Sequence, residues 1–300
     1  MAPRIKAHLA LIGTNLFFAS NYSAIKFFTS NNIAGALGIN IIRLGVSLVL
    51  FWGLFLFKPS KTIFQKKDWI ALLLCAFAAI TLNQLLFIKG LSLSFPIHSA
   101  LLTLITPILI TLLAVRMLNE KLSLTKLAGL LLGISGAILL ISEHKHGAPG
   151  DNILLGDFLV ILSSIAYTFY FILVKPLMDR HEPVIVVRWI FTFGFFFTLP
   201  LCYHEFTEIQ WQSFTVQHWF LLFMIVVPGT SLAYLFNVYG IKILSASTAG
   251  AYIYSQPIFA VIIAMIFLQQ KLSPIIIIAG VLIFSGVWLS NRKPRIILLE

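Results

Sequence analysis

The chain has 300 residues, of which 59% are apolar and only 10% charged, with a mean hydropathy of +0.98. So few charged groups cannot cover a water-facing surface without leaving very large apolar patches, which excludes an ordinary soluble globular protein and makes lipid the natural solvent. The formal charge of +11 would suggest nucleic acid in a soluble chain, but the basic residues lie in short clusters between long apolar runs. They read as topology signals, and no nucleic-acid partner is expected.

A helix needs about 20 mostly apolar residues to cross the hydrocarbon core. Runs of that length occur at 7–28, 34–57, 69–91, 95–118, 124–142, 153–176, 183–203, 217–240, 245–268 and 273–291. The first follows the basic stretch Met1 to His8 and resembles a secretion signal in outline; with nine more spans behind it, it reads as a retained helix. The runs are continuously apolar rather than alternating, which excludes barrel strands. The predicted fold is an all-α integral membrane protein with ten transmembrane helices. Fifteen Lys and Arg residues fall on the side of the N-terminus. Lys26, Lys89, Lys145 and Lys271 fall on the other side, and Arg43 and Arg188 inside spans. This asymmetry predicts a multi-pass protein of the cell (inner or plasma) membrane with both termini cytoplasmic. Cys75 and Cys202 sit in apolar runs without ligand spacing, so neither a disulfide nor a metal site is expected.

Shifting the sequence by 150 residues aligns Trp69 with Trp219, Gly90 with Gly240, Pro107 with Pro257, Lys121-Leu122-Ser123 with Lys271-Leu272-Ser273, and Ser135-Gly136 with Ser285-Gly286. Arg43 matches Arg188, and Lys26 matches Lys175, at slightly smaller offsets. The domains are therefore a first five-helix repeat over 1–145 and a second over 150–295. Five crossings are odd, so the second repeat is inverted, and inverted repeats around a midplane site are the structural logic of alternating access.

This pattern resembles the drug/metabolite transporter superfamily, EamA-like branch. The residues that carry the resemblance are Arg43 and Arg188, Pro107 and Pro257, and Asn119-Glu120-Lys121-Leu122 with Gln269-Gln270-Lys271-Leu272. The second copy has Gln270 where the pattern has Glu. The resemblance implies a carrier of a small organic solute, directed outward, with a central cavity built from helices 1, 3, 4, 6, 8 and 9.

Walker, GxGxxG and HExxH motifs are absent, so no catalytic residues, cofactor or metal are expected. The expected partners are a small-molecule substrate and the bilayer, with no obligate protein partner evident. Every acid, Asp157 included, lies in a loop or within a turn of a span end. The titratable group left near a span is His98, either a proton site or an interfacial side chain touching headgroups or water. Arg43 and Arg188 must turn from lipid. They either contact an anionic substrate group or bind backbone carbonyls and stabilise packing, the structural role being the expectation. A phosphorylated substrate would be favoured over an amino acid if both lined the cavity. Pro107 and Pro257 are expected to kink helices 4 and 9 and free the carbonyls of Thr103 and Ile253, as ligand acceptors or gating bends.

Polar residues recur at helical spacing on helices 1, 3, 6, 8 and 9: Asn15 and Tyr22; Asn83 and Gln84; Ser163, Tyr167 and Tyr170; Tyr234 and Asn237; Tyr252, Ser255 and Gln256. Each could bridge helices. Together they predict a polar-aromatic cavity whose tyrosines could stack on and orient an amino acid or related metabolite. The Gly129 to Gly133 spacing permits close helix approach, within the chain or in a dimer. Lys26 and Lys175 read as interfacial anchors, and His144 and His146 beside Glu143 as solvated groups. The alternative function is a membrane-embedded enzyme acting on a lipid or isoprenoid phosphate, with Arg43, Arg188 and His98 as its polar groups.

Overall fold

The computed structural model describes residues 3–57, 64–106, 109, 124–141, 152–244, 252–253, 255–269 and 271–290. They form helices connected by short turns, with no strand among the described residues. In chain order these are α1 (Pro3–Ser30), α2 (Ala36–Phe57), α3 (Lys66–Ala76, then Phe77–Leu82 and Asn83–Leu93), α4 (Pro96–Leu102) and α5 (Leu124–Ile141). The second half repeats them as α6 (Ile153–Arg180), α7 (Pro183–Thr207), α8 (Val216–Val226, then Val227–Leu232 and Ala233–Leu244), α9 (Ser255–Phe267) and α10 (Pro274–Ser290). Five helices are long and apolar enough to cross a membrane unaided, and α5, α9 and α10 contain shorter apolar stretches. Large apolar side chains such as Val216 and Phe267 stand 87% and 75% exposed, as a lipid-facing surface requires. The fold is that of a ten-helix, two-repeat membrane protein.

A feature absent from the sequence reading marks the repeat most sharply. Both α3 and α8 pass through one π-helical turn, Phe77–Leu82 and Val227–Leu232, offset by 150 residues at each end. In α8 the cause is local. Pro228 brings no N–H, and the hydroxyls of Thr230 and Ser231 reach back to the carbonyls of Ile225 and Val226 at 2.9 and 3.2 Å. Those carbonyls are thereby satisfied inside the hydrocarbon region. α3 has no proline there, yet the Asn83 N–H still bonds the Ala78 carbonyl, five residues back. A π turn kept in both repeats at one register is a feature typical of functional sites.

The expected mid-helix kink at Pro257 does not form as predicted. Pro257 sits in the first turn of α9 rather than mid-helix, and the Ile253 carbonyl accepts the Gln256 N–H at 3.1 Å. The Thr103 carbonyl likewise accepts from the Thr106 N–H at 3.1 Å. Both carbonyls are taken up by three-residue turns and are not free acceptors. α4 ends at Leu102, ahead of Pro107, which lies outside the described residues. So do Glu143, His144, His146, Gln270 and the side chain of Lys175.

The repeats meet through equivalent helices. α5 crosses α10 so closely that a methyl group on Gly136 would sit 2.8 Å from the Ala279 carbonyl oxygen. One on Gly286 would sit 2.4 Å from the Gly133 nitrogen and 2.6 Å from the Gly129 oxygen. Gly136 and Gly286 are themselves repeat partners, and the Gly129 to Gly133 spacing is used within the chain. α2 meets α7 through Phe51 against Phe191, ring centres 5.0 Å apart, and through Trp52 Nε1, which donates to Thr192 Oγ1 at 3.0 Å. Between them, α1 packs on α8 as α6 packs on α3. Thr14 Oγ1 donates to the Ala233 carbonyl at 3.2 Å, and Asn83 Nδ2 to the Ser163 carbonyl at 2.9 Å. Gly240 lies under Leu11 just as Gly90 lies under Val160. With α1 and α6 offset by 149 residues, these are the same contacts made twice.

The α5/α10 crossing predicts that Gly286→Val overpacks the seam and costs about 1–3 kcal/mol, read as a lower thermal unfolding midpoint in detergent. Gly53→Val should leave the midpoint unchanged, since nothing lies within 4 Å of a side chain added there.

Candidate functional site

The helices in the middle of the bundle bring two groups of polar and aromatic side chains together. The first centres on Tyr234 of α8. Gln84 Nε2 of α3 donates to its hydroxyl at 3.4 Å, and Phe191 and Phe18 approach its ring edge-on at 4.8 and 5.8 Å between centres. Tyr167 and Tyr170 of α6, their rings 5.4 Å apart, lie close enough to interact with it electrostatically. Gln84 and Tyr234 are 150 residues apart and are thus repeat partners. Residues that touch their own counterparts stand on the axis relating the two repeats, which for inverted repeats runs in the membrane plane. This cluster therefore lies where the two repeats meet.

Arg43 of α2 belongs to the same cluster. It is 7% exposed, its Nε donates to Thr230 Oγ1 at 2.9 Å, and its charge lies close enough to the Tyr234 hydroxyl to act on it. Thr230 can accept this bond because the π turn aims its hydroxyl inward while it donates to Ile225. Beside it, the hydroxyls of Ser47 and Ser231 bond at 2.8 Å. Among the described residues no carboxylate pairs with Arg43. A buried guanidinium facing hydroxyls rather than an acid is costly unless something else supplies the negative charge.

The second group joins α1, α3, α4 and α9. Gln256 Nε2 donates to the Tyr22 hydroxyl at 2.5 Å, Thr103 lies beside that hydroxyl, and Phe87 lies 5.2 Å from the Tyr22 ring.

Other expected site residues stand apart. Asn15 Nδ2 turns back to its own helix at the Leu11 carbonyl, 2.8 Å. Asn83 bridges α3 to α6, as a structural link would. Asn237 is half-buried one turn beyond Tyr234 and joins neither group by a hydrogen bond among the described residues. Tyr252 lies at the end of the bundle that carries the N-terminus, with its hydroxyl 2.6 Å from His8 Nδ1. Arg188 stacks over the Trp52 ring at 4.7 Å. Arg188 thus faces an aromatic ring, whereas Arg43 faces a hydroxyl. His98 is no interfacial group. It is buried on Asp157 Oδ2 at 3.0 Å, and Asp157 is itself fully buried although it lies one turn into α6. Lys26 is likewise buried, donating to the Ser92 carbonyl at 2.9 Å rather than anchoring in headgroups.

Sequence reasoning missed Thr230, Ser231 and Ser47. The signal was available in Pro228-Gly229-Thr230-Ser231, four helix-unfavourable residues in the centre of an apolar run. Asn21 fixes the same turn, donating to the Gly229 carbonyl at 2.7 Å.

Comparison with known proteins agrees with this architecture. The model of the EamA-like transporter family matches twice, over residues 5–142 and 154–292. The chain belongs to the EamA-like transporter family. Among similar curated proteins are the uncharacterized transporter YetK of Bacillus subtilis, 25% identical over 83% of this chain and 76% of that protein, and a probable terminal-alkyne amino-acid exporter of Streptantibioticus cattleyicolor. The latter is 26% identical over 96% of this chain and 94% of its own length. A crystal structure 14% identical in sequence superposes with a TM-score of 0.61 over 94% of this chain and 96% of its own, which shows the shared fold. The family's name and the relatives' names are those of transporters rather than enzymes.

The tether at the π turn is testable. Thr230→Val removes the acceptor of Arg43 and the donor to Ile225 together, and should cost about 1–3 kcal/mol of stability. Thr192→Val also removes two bonds, the acceptor of Trp52 and the donor to the Arg188 carbonyl, but at a half-buried site where water can replace them, and should cost less, about 0.5–1.5 kcal/mol, by the same thermal unfolding measurement.

Proposed function

We propose that the chain exports amino acids or closely related carboxylate-bearing metabolites by alternating access, with both termini cytoplasmic and two repeats, 1–145 and 150–295, exchanging conformations about the axis through Gln84 and Tyr234. The observation that carries this reading is Arg43. It is a buried cation with no acidic partner among the described residues, set against hydroxyls and phenols at mid-depth, where a substrate carboxylate can complete the pairing. Tyr234, Tyr167 and Tyr170 supply aromatic surface for a side chain, Gln84 a neutral donor and acceptor, and the Tyr22, Thr103 and Gln256 group a second polar wall. Arg188 is engaged elsewhere, on Trp52, so the cluster offers one positive charge rather than two. That balance favours a monocarboxylate over a phosphorylated solute. The amino-acid export named for the Streptantibioticus relative supports the same substrate class and the outward direction.

Counterflow in proteoliposomes tests this with matched probes: labelled L-leucine and L-phenylalanine against isoamylamine and phenylethylamine, their analogues without the carboxylate. The amino acids should exchange at least about tenfold faster, the value of one hydrogen-bonded charge contact, and Arg43→Gln should abolish the difference by slowing the amino acids. Equal exchange of acids and amines would remove the carboxylate assignment. Failure of every tracer to exchange would remove the amino-acid reading.

A further inference from the structure

Three buried side chains outside the central cluster form a group of their own. Ser94, His98 and Asp157 are each 1% exposed or less. Asp157 Oδ1 accepts the Ser94 hydroxyl, and Oδ2 lies 3.0 Å from His98 Nδ1, whose ring meets Phe95 edge-on. Ser94 and His98 flank the start of α4 in the first repeat and Asp157 lies at the start of α6 in the second, so the group fastens α4 to α6 at the end of the bundle away from the N-terminus. Five residues further along from His98 stands Thr103, beside Tyr22 in the central region.

The repeat-related helix pair, α1 with α9, is fastened differently. Position 8 is the counterpart of 157 at the 149-residue offset, and there His8, half-buried, meets the phenol of Tyr252 at 2.6 Å. Of the two related joints, only α4/α6 contains a carboxylate.

We infer that Ser94, His98 and Asp157 form a proton-binding site that controls how firmly α4 is seated on α6. With His98 neutral, Nδ1–H and Ser94 both donate to an ionised Asp157, and the buried group carries a net charge of −1. A proton added at His98 Nε2 converts it to an imidazolium–carboxylate pair with no net charge. A neutral, fully hydrogen-bonded pair is far cheaper to keep out of water than a lone carboxylate. The protonated form therefore holds α4 down, and proton release loosens it and admits water. Among the described residues the surrounding helices supply little competing charge, and Lys126 of α5 lies at that helix's other end. On α3, Lys89 lies 3.9 Å from Glu205 of α7, and on α1, Lys26 donates to the Ser92 carbonyl. Asp68 of α3 and Arg180 of α6 pair with each other at the opposite end, and α9 and α10 carry no charged residue. Because one joint pairs its histidine with a buried carboxylate and its counterpart pairs a half-buried histidine with a phenol, pH acts on the two repeats unequally and biases their exchange. This inference rests on the alternating-access reading only for that last consequence.

Hydrogen exchange of the full chain in lipid nanodiscs, followed by mass spectrometry and corrected for intrinsic chemical exchange, tests the site without any substrate. Between about pH 5.5 and 8, where a histidine proton is exchanged, protection at the start of α4 and α6 should fall about tenfold. Asp157→Asn should give high, pH-independent protection and His98→Gln low, pH-independent protection. Ser94→Ala, which keeps the histidine–carboxylate pair, should retain the pH dependence if a charge-altering variant fails to fold. Wild-type protection that ignores pH, or an unchanged pH dependence in Asp157→Asn, would overturn the inference. Failure of amino-acid counterflow alongside the expected exchange pattern would overturn the transport reading and leave the proton site standing.

Discussion

Two halves of a chain related by an in-plane twofold axis can bring a residue against its own counterpart only on that axis, and in this protein the residues that meet there are Gln84 and Tyr234. Everything central to the molecule is placed by that contact. α3 and α8 run past each other at the centre of the bundle, their π turns lie at one register on either side, and Arg43 enters from α2 toward Tyr234. The α5/α10 crossing, where Gly136 and Gly286 remove the side chains that would hold the helices apart, lies on the same axis. In hydrocarbon no water repairs a misplaced polar group. The internal bonds of Thr230, Ser231, Asn83 and Thr14 are thus what allows polar chemistry to exist at this depth.

The repeats share a backbone plan but not their side-chain chemistry, and the differences are where function is legible. Arg43 has Thr230 before it. The counterpart of Thr230 in the first repeat is Ile80, fully buried and packed against Gly194, and the Arg188 guanidinium turns to Trp52 instead. One inherited position has become a candidate ligand for an anion and the other a packing element. Asp157 and His8 diverge in the same way at the α6 and α1 starts. On the proposed reading, a symmetric frame supplies two conformations, and the unequal side chains make the substrate and proton sites different in the two repeats.

Span number, the repeat offset and the helical class were readable from composition and spacing, because lipid demands long apolar runs and a duplicated half keeps its Gly, Pro and Trp landmarks. Tyr22, Gln84, Tyr167, Tyr170, Tyr234 and Gln256 were readable as inward-facing for the same reason. Other features were hidden because they depend on tertiary partners. Nothing local in the Leu154-Leu155-Gly156-Asp157 stretch shows that Gly156 lets α6 approach Gly90 and Ser94 so closely that the next residue is sealed from water. The proline reading failed for a different reason. The Thr103 and Ile253 carbonyls are closed by three-residue turns, so neither is left as an open acceptor. Lys26 and His98 misled because nearness to a span end was taken as exposure, whereas α3 and α6 cover them.

The most direct test of a mid-depth site that opens in turn to each side is the reactivity of Gln84→Cys, in a background with Cys75 and Cys202 replaced by serine, toward a membrane-impermeant thiol reagent applied separately to either face of sealed vesicles. The account predicts labelling from both faces, and slower labelling when L-leucine is present. Labelling from one face only, or only by reagents that dissolve in lipid, would contradict it.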